Sequence, residues 1–144
     1  RTVELEVLPA SIKHGIGVIP WSPLTGGLLG GVLRKEKEGR SAGAMVSAGL
    51  KIYGDAIAAY ESFCDDLGHD PADVALAWLL HQPGVTAPII GPRTIAQLDN
   101  SLRALDIVLD ESALTRLDEI FPGPGGAPEN GVRKKHFAPE AYAW

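Results

Sequence analysis

The stretch Gly15–Leu29, GIGVIPWSPLTGGLL, decides how the rest of the chain is read. Residues 17–21 form a short apolar run behind a glycine turn, the pattern of a strand buried on both faces. Ser22, Pro23 and Leu24 follow at its C-terminal end, and then Thr25, Gly26 and Gly27. Glycines there let the backbone approach a ligand closely. In parallel α/β folds ligands sit at the C-terminal ends of strands. A hydroxyl beside several bare N–H groups suits phosphate oxygens. An ordinary turn between strand and helix is the alternative reading of the same residues.

Working outward, residues 3–14 read as a helix ending at Gly15, with Val3, Val7 and Leu8 as a partial apolar stripe. Pro9 either starts that helix or kinks it. Residues 30–54 lack a sustained period and read as a long surface excursion with room for a short helix. Within it the charges of 34–38 read as a solvated face, and Arg40 stays open. Residues 55–67 read as a helix with Ile57, Tyr60, Cys64 and Leu67 on one face and Gly68 at its end. Asp70 and Pro71 open the next helix, apolar all round from Val74 to Leu80. Residues 86–90 read as a second strand. The turn 91–94 leads into a helix lined by Ile95, Leu98, Leu102 and Leu105. Asp110 caps a last helix with Leu114, Leu117 and Ile120 inward. From Pro122 the chain turns to proline, glycine and charge, and no regular structure is expected over 122–144.

The 144 residues are 45% hydrophobic and 22% charged, which suits one globular domain. No apolar run approaches the ~18 residues of a membrane span, and no basic, apolar leader opens the chain, so a cytoplasmic setting is expected. A net charge of −5 argues against nucleic-acid binding. The single cysteine, Cys64, fits a buried helix face. His14, His69, His81 and His136 show no metal-ligand spacing and read as surface or helix-end residues. Helices alternate with two strands, as in an α/β fold with a parallel sheet. A closed barrel needs eight strands. Together with a first residue that is Arg1 and not Met, this leads us to expect a missing N-terminal part.

A second stretch also carries chemistry. Gly91 ends the second strand and Thr94 opens a helix, whose N-terminus favours anions. Arg93 beside it has a planar fork suited to phosphate. Gln97 and Asn100, three apart, share a helix face and can hydrogen-bond a base or ribose. A phosphorylated nucleotide meets all of these features; a surface cation and two solvent-facing side chains are the alternative. There is no GxSxG, HExxH, GxxxxGK[ST] or strand-borne GxGxxG. The carboxylate pairs Asp65-Asp66 and Asp118-Glu119 fall on outer helix faces.

Taken together, GIGVIPWSPLTGGLL and the later APIIGPRTIAQLDNSL resemble the C-terminal half of aldo-keto reductases. The likeness is greatest to the bacterial branch related to potassium-channel β-subunits. DPADVALAWLL and the closing EAYAW are similar to that branch too, and Arg1 resembles the end of its strand-six segment. The resemblance implies a (β/α)8 TIM barrel. Residues 1–121 would supply helix six through helix eight with strands seven and eight, an incomplete barrel, and residues 122–144 an irregular tail.

NADP(H) is the cofactor the resemblance implies. Trp21, Ser22, Pro23, Leu24, Gly26 and Gly27 match positions along its pyrophosphate and ribose. Arg93 matches the 2′-phosphate contact, with Gly91 beside it. Gln97, Asn100 and Ser101 match adenosine-side positions, and Arg40 a loop arginine that closes over the cofactor. Two departures stand out. A basic position of some relatives falls near Val32, and residues 129–137 look longer than the usual tail.

The implied reaction is hydride transfer that turns a small carbonyl substrate into an alcohol, with a tyrosine as acid supported by Lys, Asp and His. Those four belong to strands one to four. Tyr53, Tyr60 and Tyr142 do not sit in the matching context, so no catalytic residue is assigned and the fragment alone is expected to be inactive. The implied partners are the substrate, the missing N-terminal half and, through unpaired apolar edges, an oligomer. The other reading is a non-catalytic nucleotide- or partner-binding module resembling a channel β-subunit.

Overall fold

Helix ends follow the local sequence closely. The computed structural model describes residues 1–34 and 43–123. Its helices are α1 (Val7–His14), α2 (Ala44–Leu67), α3 (Pro71–Leu80), α4 (Ile95–Leu102) and α5 (Glu111–Ile120), with 3-10 turns at Thr2–Glu4, Thr25–Gly27 and Arg103–Leu105. α1 and α2 both end in Schellman motifs. Gly15 and Gly68 take left-handed φ of 64° and 72°. The residue after each donates back five positions, Ile16 to Ser11 O and His69 to Cys64 O. Pro9 lies in the first turn of α1, where its missing N–H has no helical partner to lose, so it starts the helix. α1 is shorter than 3–14, and Val3 and Val7 are exposed, so only Leu8 of that stripe reaches the core.

The excursion expected over 30–54 is corrected in its second half, because α2 begins at Ala44 and runs 24 residues. Gly49 and Gly54 hid this, since glycine disfavours helix interiors. Gly49 serves packing: a Cβ there would lie 2.8 Å from Leu28 Cδ2. That fit brings α2 against the turn that carries Leu28. A small cluster of Leu28, Val32, Val46 and Ile57 fills the contact. A larger cluster surrounds α3 and draws Tyr60, Cys64, Ala104, Ile107, Leu109, Ala113 and Leu117 around Val74–Ala77. Phe121 packs against both, its ring 5.6 Å from that of Tyr60. The helical face Ile57–Tyr60–Cys64 is thus buried as its spacing requires.

The expected strands 17–21 and 86–90 are extended segments joined by two isolated parallel bridges, Val18 to Val85 and Trp21 to Ile89. Prolines explain why no ladder forms. Val18 N–H donates to Gly84 O at 3.0 Å and Thr86 N–H to Val18 O at 2.8 Å. In that register Pro20 would donate next to Thr86, and Pro88 to Pro20; neither has an N–H. Ile89 N–H takes the place of Pro88 and reaches Pro20 O at 2.8 Å, so the register advances by one residue. Gly17 permits the close approach, as a Cβ there would sit 2.1 Å from Thr86 Oγ1.

The face of α4 expected to point inward does not. Ile95 is 74% and Leu105 67% exposed, and Leu98 and Leu102 are exposed as well. The core is filled instead by Ala104, Ile107 and Leu109 just beyond α4. No helix among the described residues is long and apolar enough to cross a membrane.

His81, read as a surface or helix-end residue, is half-buried and ties α3 to the segment before α5. Its Nε2 lies 3.2 Å from the Leu109 N–H, which can only donate. The ring proton therefore sits on Nδ1 and is donated to Ala77 O at 2.8 Å. His81→Leu removes both bonds. In the full-length product it should destabilise by about 1–3 kcal/mol, a fall of roughly 1–4 °C in melting temperature. An unchanged melting curve would show that the ring holds nothing together.

Candidate functional site

The two bridges align the ends of both extended segments, so the turn 22–27 and the turn 91–94 leave the same end of the pair. The first turn is built from left-handed residues: Ser22, Thr25, Gly26 and Gly27 have φ of 54°, 50°, 68° and 107°. A β-branched residue there is an outlier costing on the order of 1–3 kcal/mol. Local bonds hold it, Thr25 N–H to Ser22 O and Gly27 N–H to Leu24 O, both at 2.9 Å. Leu24 packs on the larger core cluster and Leu28 lies in the smaller, so the turn is fastened on both sides. Trp21 is 76% exposed at its head, and Pro23 is half-buried.

The second turn opens α4 through a capping arrangement. Thr94 Oγ1 accepts from Gln97 N–H at 3.2 Å, and Gln97 Oε1 accepts from Arg93 N–H at 2.7 Å. Gln97 is therefore a structural cap as well as a candidate contact. Gly91, Arg93, Gln97 and Asn100 are all exposed, and Ser101 is half-buried. Among the described residues no acidic group pairs with the Arg93 guanidinium. Ser101 Oγ donates to Gln97 O at 2.8 Å. Asn100 Oδ1 accepts from Arg103 Nη2. Arg103 also reaches Asp70 and Asp73, its Nη1 3.9 Å from each carboxylate. The reading by sequence missed Arg103; its spacing of three from Asn100 was the available signal.

Two other expected features are placed differently or lie outside. Val32, near the basic position that the resemblance implies, is buried at 4% exposure. Arg40 lies outside the described residues, as do Tyr142 and the segment 129–137. Arg34, expected to be solvated, binds α2: its Nε is 3.1 Å from buried Glu61 Oε2, and Glu61 Oε1 also accepts from Leu33 N–H at 3.0 Å. It bonds to Asp65 as well.

A cleft of about 570 Å³ lies elsewhere, between the end of α2, the start of α3 and the segment after α4. Arg34, Asp65, His69, Asp73, Arg103 and Asp106 line it, and none of the expected cofactor residues does. Its two arginines are already paired with its aspartates. No group of His, Cys, Asp or Glu among the described residues is arranged to hold a metal ion.

Cys64 and Tyr60 are buried. Burial pushes the Cys64 thiol up to about 12, so it is no thiolate nucleophile at neutral pH. Burial also raises the Tyr60 hydroxyl far above its ordinary value, and that hydroxyl donates to Pro71 O.

Comparison with known proteins shows the family. The chain is 44% identical over all of its length to the "Uncharacterized oxidoreductase YrpG" of Bacillus subtilis, covering 41% of that protein. It is 32% identical over 96% of its length to "Probable aldo-keto reductase 1" of Glycine max, covering 42% of it. It is 28% identical over 89% of its length to "Probable voltage-gated potassium channel subunit beta" of Arabidopsis thaliana, again covering 42%. The chain thus spans about two fifths of the length of these relatives. The profile of the Aldo/keto reductase family matches residues 1–121, which hold both turns and every described helix, and the chain belongs to that family.

Proposed function

We propose that this chain supplies the cofactor-binding, C-terminal part of an NADP(H)-dependent aldo-keto reductase barrel. In this reading residues 1–121 carry strands seven and eight with helices six to eight, and residues 122–144 form a tail. The observation that carries it is the parallel pairing that brings two unlike turns to one end. One turn is glycine-rich and left-handed. The other joins a cation that has no acidic partner among the described residues to a helix N-terminus. Such a pair suits a dinucleotide with phosphates at its middle and on its ribose.

NADP(H), when bound, supplies the hydride, and this chain's residues bind and orient. Trp21, Ser22, Pro23, Leu24, Gly26 and Gly27 take the pyrophosphate and its ribose. Gly91 leaves the backbone accessible beside Arg93, and Arg93 takes the 2′-phosphate. Gln97, Asn100 and Ser101 take the adenosine side, and Arg40 closes over the cofactor. The substrate is a small carbonyl compound, the setting is the cytoplasm, and the completing partner is the N-terminal part of the barrel. The apolar face of α4 is the surface that such a partner, or an oligomer, would cover.

The test uses the full-length product that carries this sequence. NADPH should bind and be oxidised in the presence of an aldehyde. A second reading, a non-catalytic module like a channel β-subunit, is supported by the similarity to the potassium channel subunit beta of Arabidopsis thaliana. Binding of NADPH without turnover of any carbonyl would select that module, and no binding would refute both.

A further inference from the structure

α4 carries three polar side chains where the nucleotide's base is expected, and each has one bond already made. Gln97 Oε1 faces the Arg93 N–H, and Asn100 Oδ1 faces the Arg103 guanidinium. The Ser101 hydroxyl donates its proton to Gln97 O. An N–H and a guanidinium only donate, so each amide must turn its oxygen to them. A carboxamide is planar, and its NH2 then points the other way. What α4 offers outward is therefore N–H donors from Gln97 and Asn100, and lone pairs from Ser101.

The Asn100 orientation depends on one residue. Arg103 is braced from behind, with Asp70 and Asp73 each 3.9 Å from its Nη1, and Asp73 is buried. The two carboxylates attract the guanidinium from that side while Nη2 engages Asn100. We propose that Arg103 is a positioning residue that fixes Asn100 as a hydrogen-bond donor and so makes the site select adenine. This rests on the reading of α4 as the adenosine side. In the arrangement it implies, Asn100 Nδ2 donates to adenine N1, and the 6-amino group donates to Ser101 Oγ. Hypoxanthine reverses both groups, with N–H at N1 and a carbonyl at position 6. To suit it, Asn100 would have to turn and give up its bond to Arg103.

The experiment titrates NADPH and its reduced hypoxanthine analogue against the full-length product, with Arg103→Met, Arg103→Lys and Asn100→Leu beside it. Wild type should prefer NADPH by about 10-fold, the size of one or two neutral hydrogen bonds. Arg103→Met keeps the side chain's bulk and frees the Asn100 amide to rotate, so the preference should shrink to within about threefold. Arg103→Lys can still donate to Asn100 Oδ1 and should keep most of it. A merely structural role would weaken both ligands alike and leave their ratio unchanged. An unchanged ratio in Arg103→Met overturns the proposal, as does a wild type that prefers the hypoxanthine form or neither. NADPH binding that falls in Asn100→Leu while the ratio ignores Arg103 overturns this inference alone. A wild type that does not bind NADPH overturns the cofactor reading and this one with it.

Discussion

Replacing Arg93 by alanine is expected to weaken NADPH binding about 10- to 150-fold and to leave NADH binding within about twofold. A charge-assisted hydrogen bond contributes roughly 1.5–3 kcal/mol, which sets that range. NADH carries a hydroxyl in place of the 2′-phosphate and loses no ionic partner. The substitution is clean for a structural reason. Gln97 bonds to the backbone N–H of Arg93, which alanine keeps, so the cap on α4 survives. No acidic side chain among the described residues is left without its cation. Lysine should recover only part of the affinity, because an ammonium cannot form the planar fork. Arg93 is exposed, so salt should reduce the difference. Titrating both cofactors against wild type and variant decides the matter. Equal losses for the two would mean that the side chain supports the turn and does not touch the 2′-phosphate.

The 144-residue chain by itself is expected to oxidise no NADPH with any aldehyde. Carbonyl reduction needs a group that gives a proton to the oxygen as hydride arrives, and such an acid contributes about 100- to 10,000-fold. Among the described residues, the tyrosines and the cysteine are badly placed. Tyr60 is 2% exposed, its hydroxyl already donates to Pro71 O, and burial holds its proton on. Cys64 is fully buried in the same cluster. Tyr53 lies on the exposed side of α2, not on either of the segments the bridges align. Turnover above background by the pure chain would sink the assignment of the acid to another part of the protein. The full-length product should show turnover that the chain alone lacks.

What the sequence determined by itself is what depends on near neighbours along the chain. Gly15 and Gly68 close helices, and Thr94 and Asp110 open them, because each bond involved spans at most five residues. The face Ile57–Tyr60–Cys64 was legible for the same reason, as helical spacing alone puts those side chains on one side. The two turns were legible as ligand-binding candidates from their glycines and from Arg93. Only the tertiary structure decided the rest. Gly49 marks a place where Leu28 enters, and no local pattern says that a helix runs through it. Pro20 and Pro88 visibly lack donors, yet that they face each other in one register depends on pairing segments far apart in the chain. The apolar stripe of α4 has the right period for burial and is exposed, because burial needs a second surface and period supplies only the first. Asn100 could present either end of its amide. The Arg103 guanidinium, 3.9 Å from the carboxylates of Asp70 and Asp73 some thirty residues earlier in the chain, takes its oxygen.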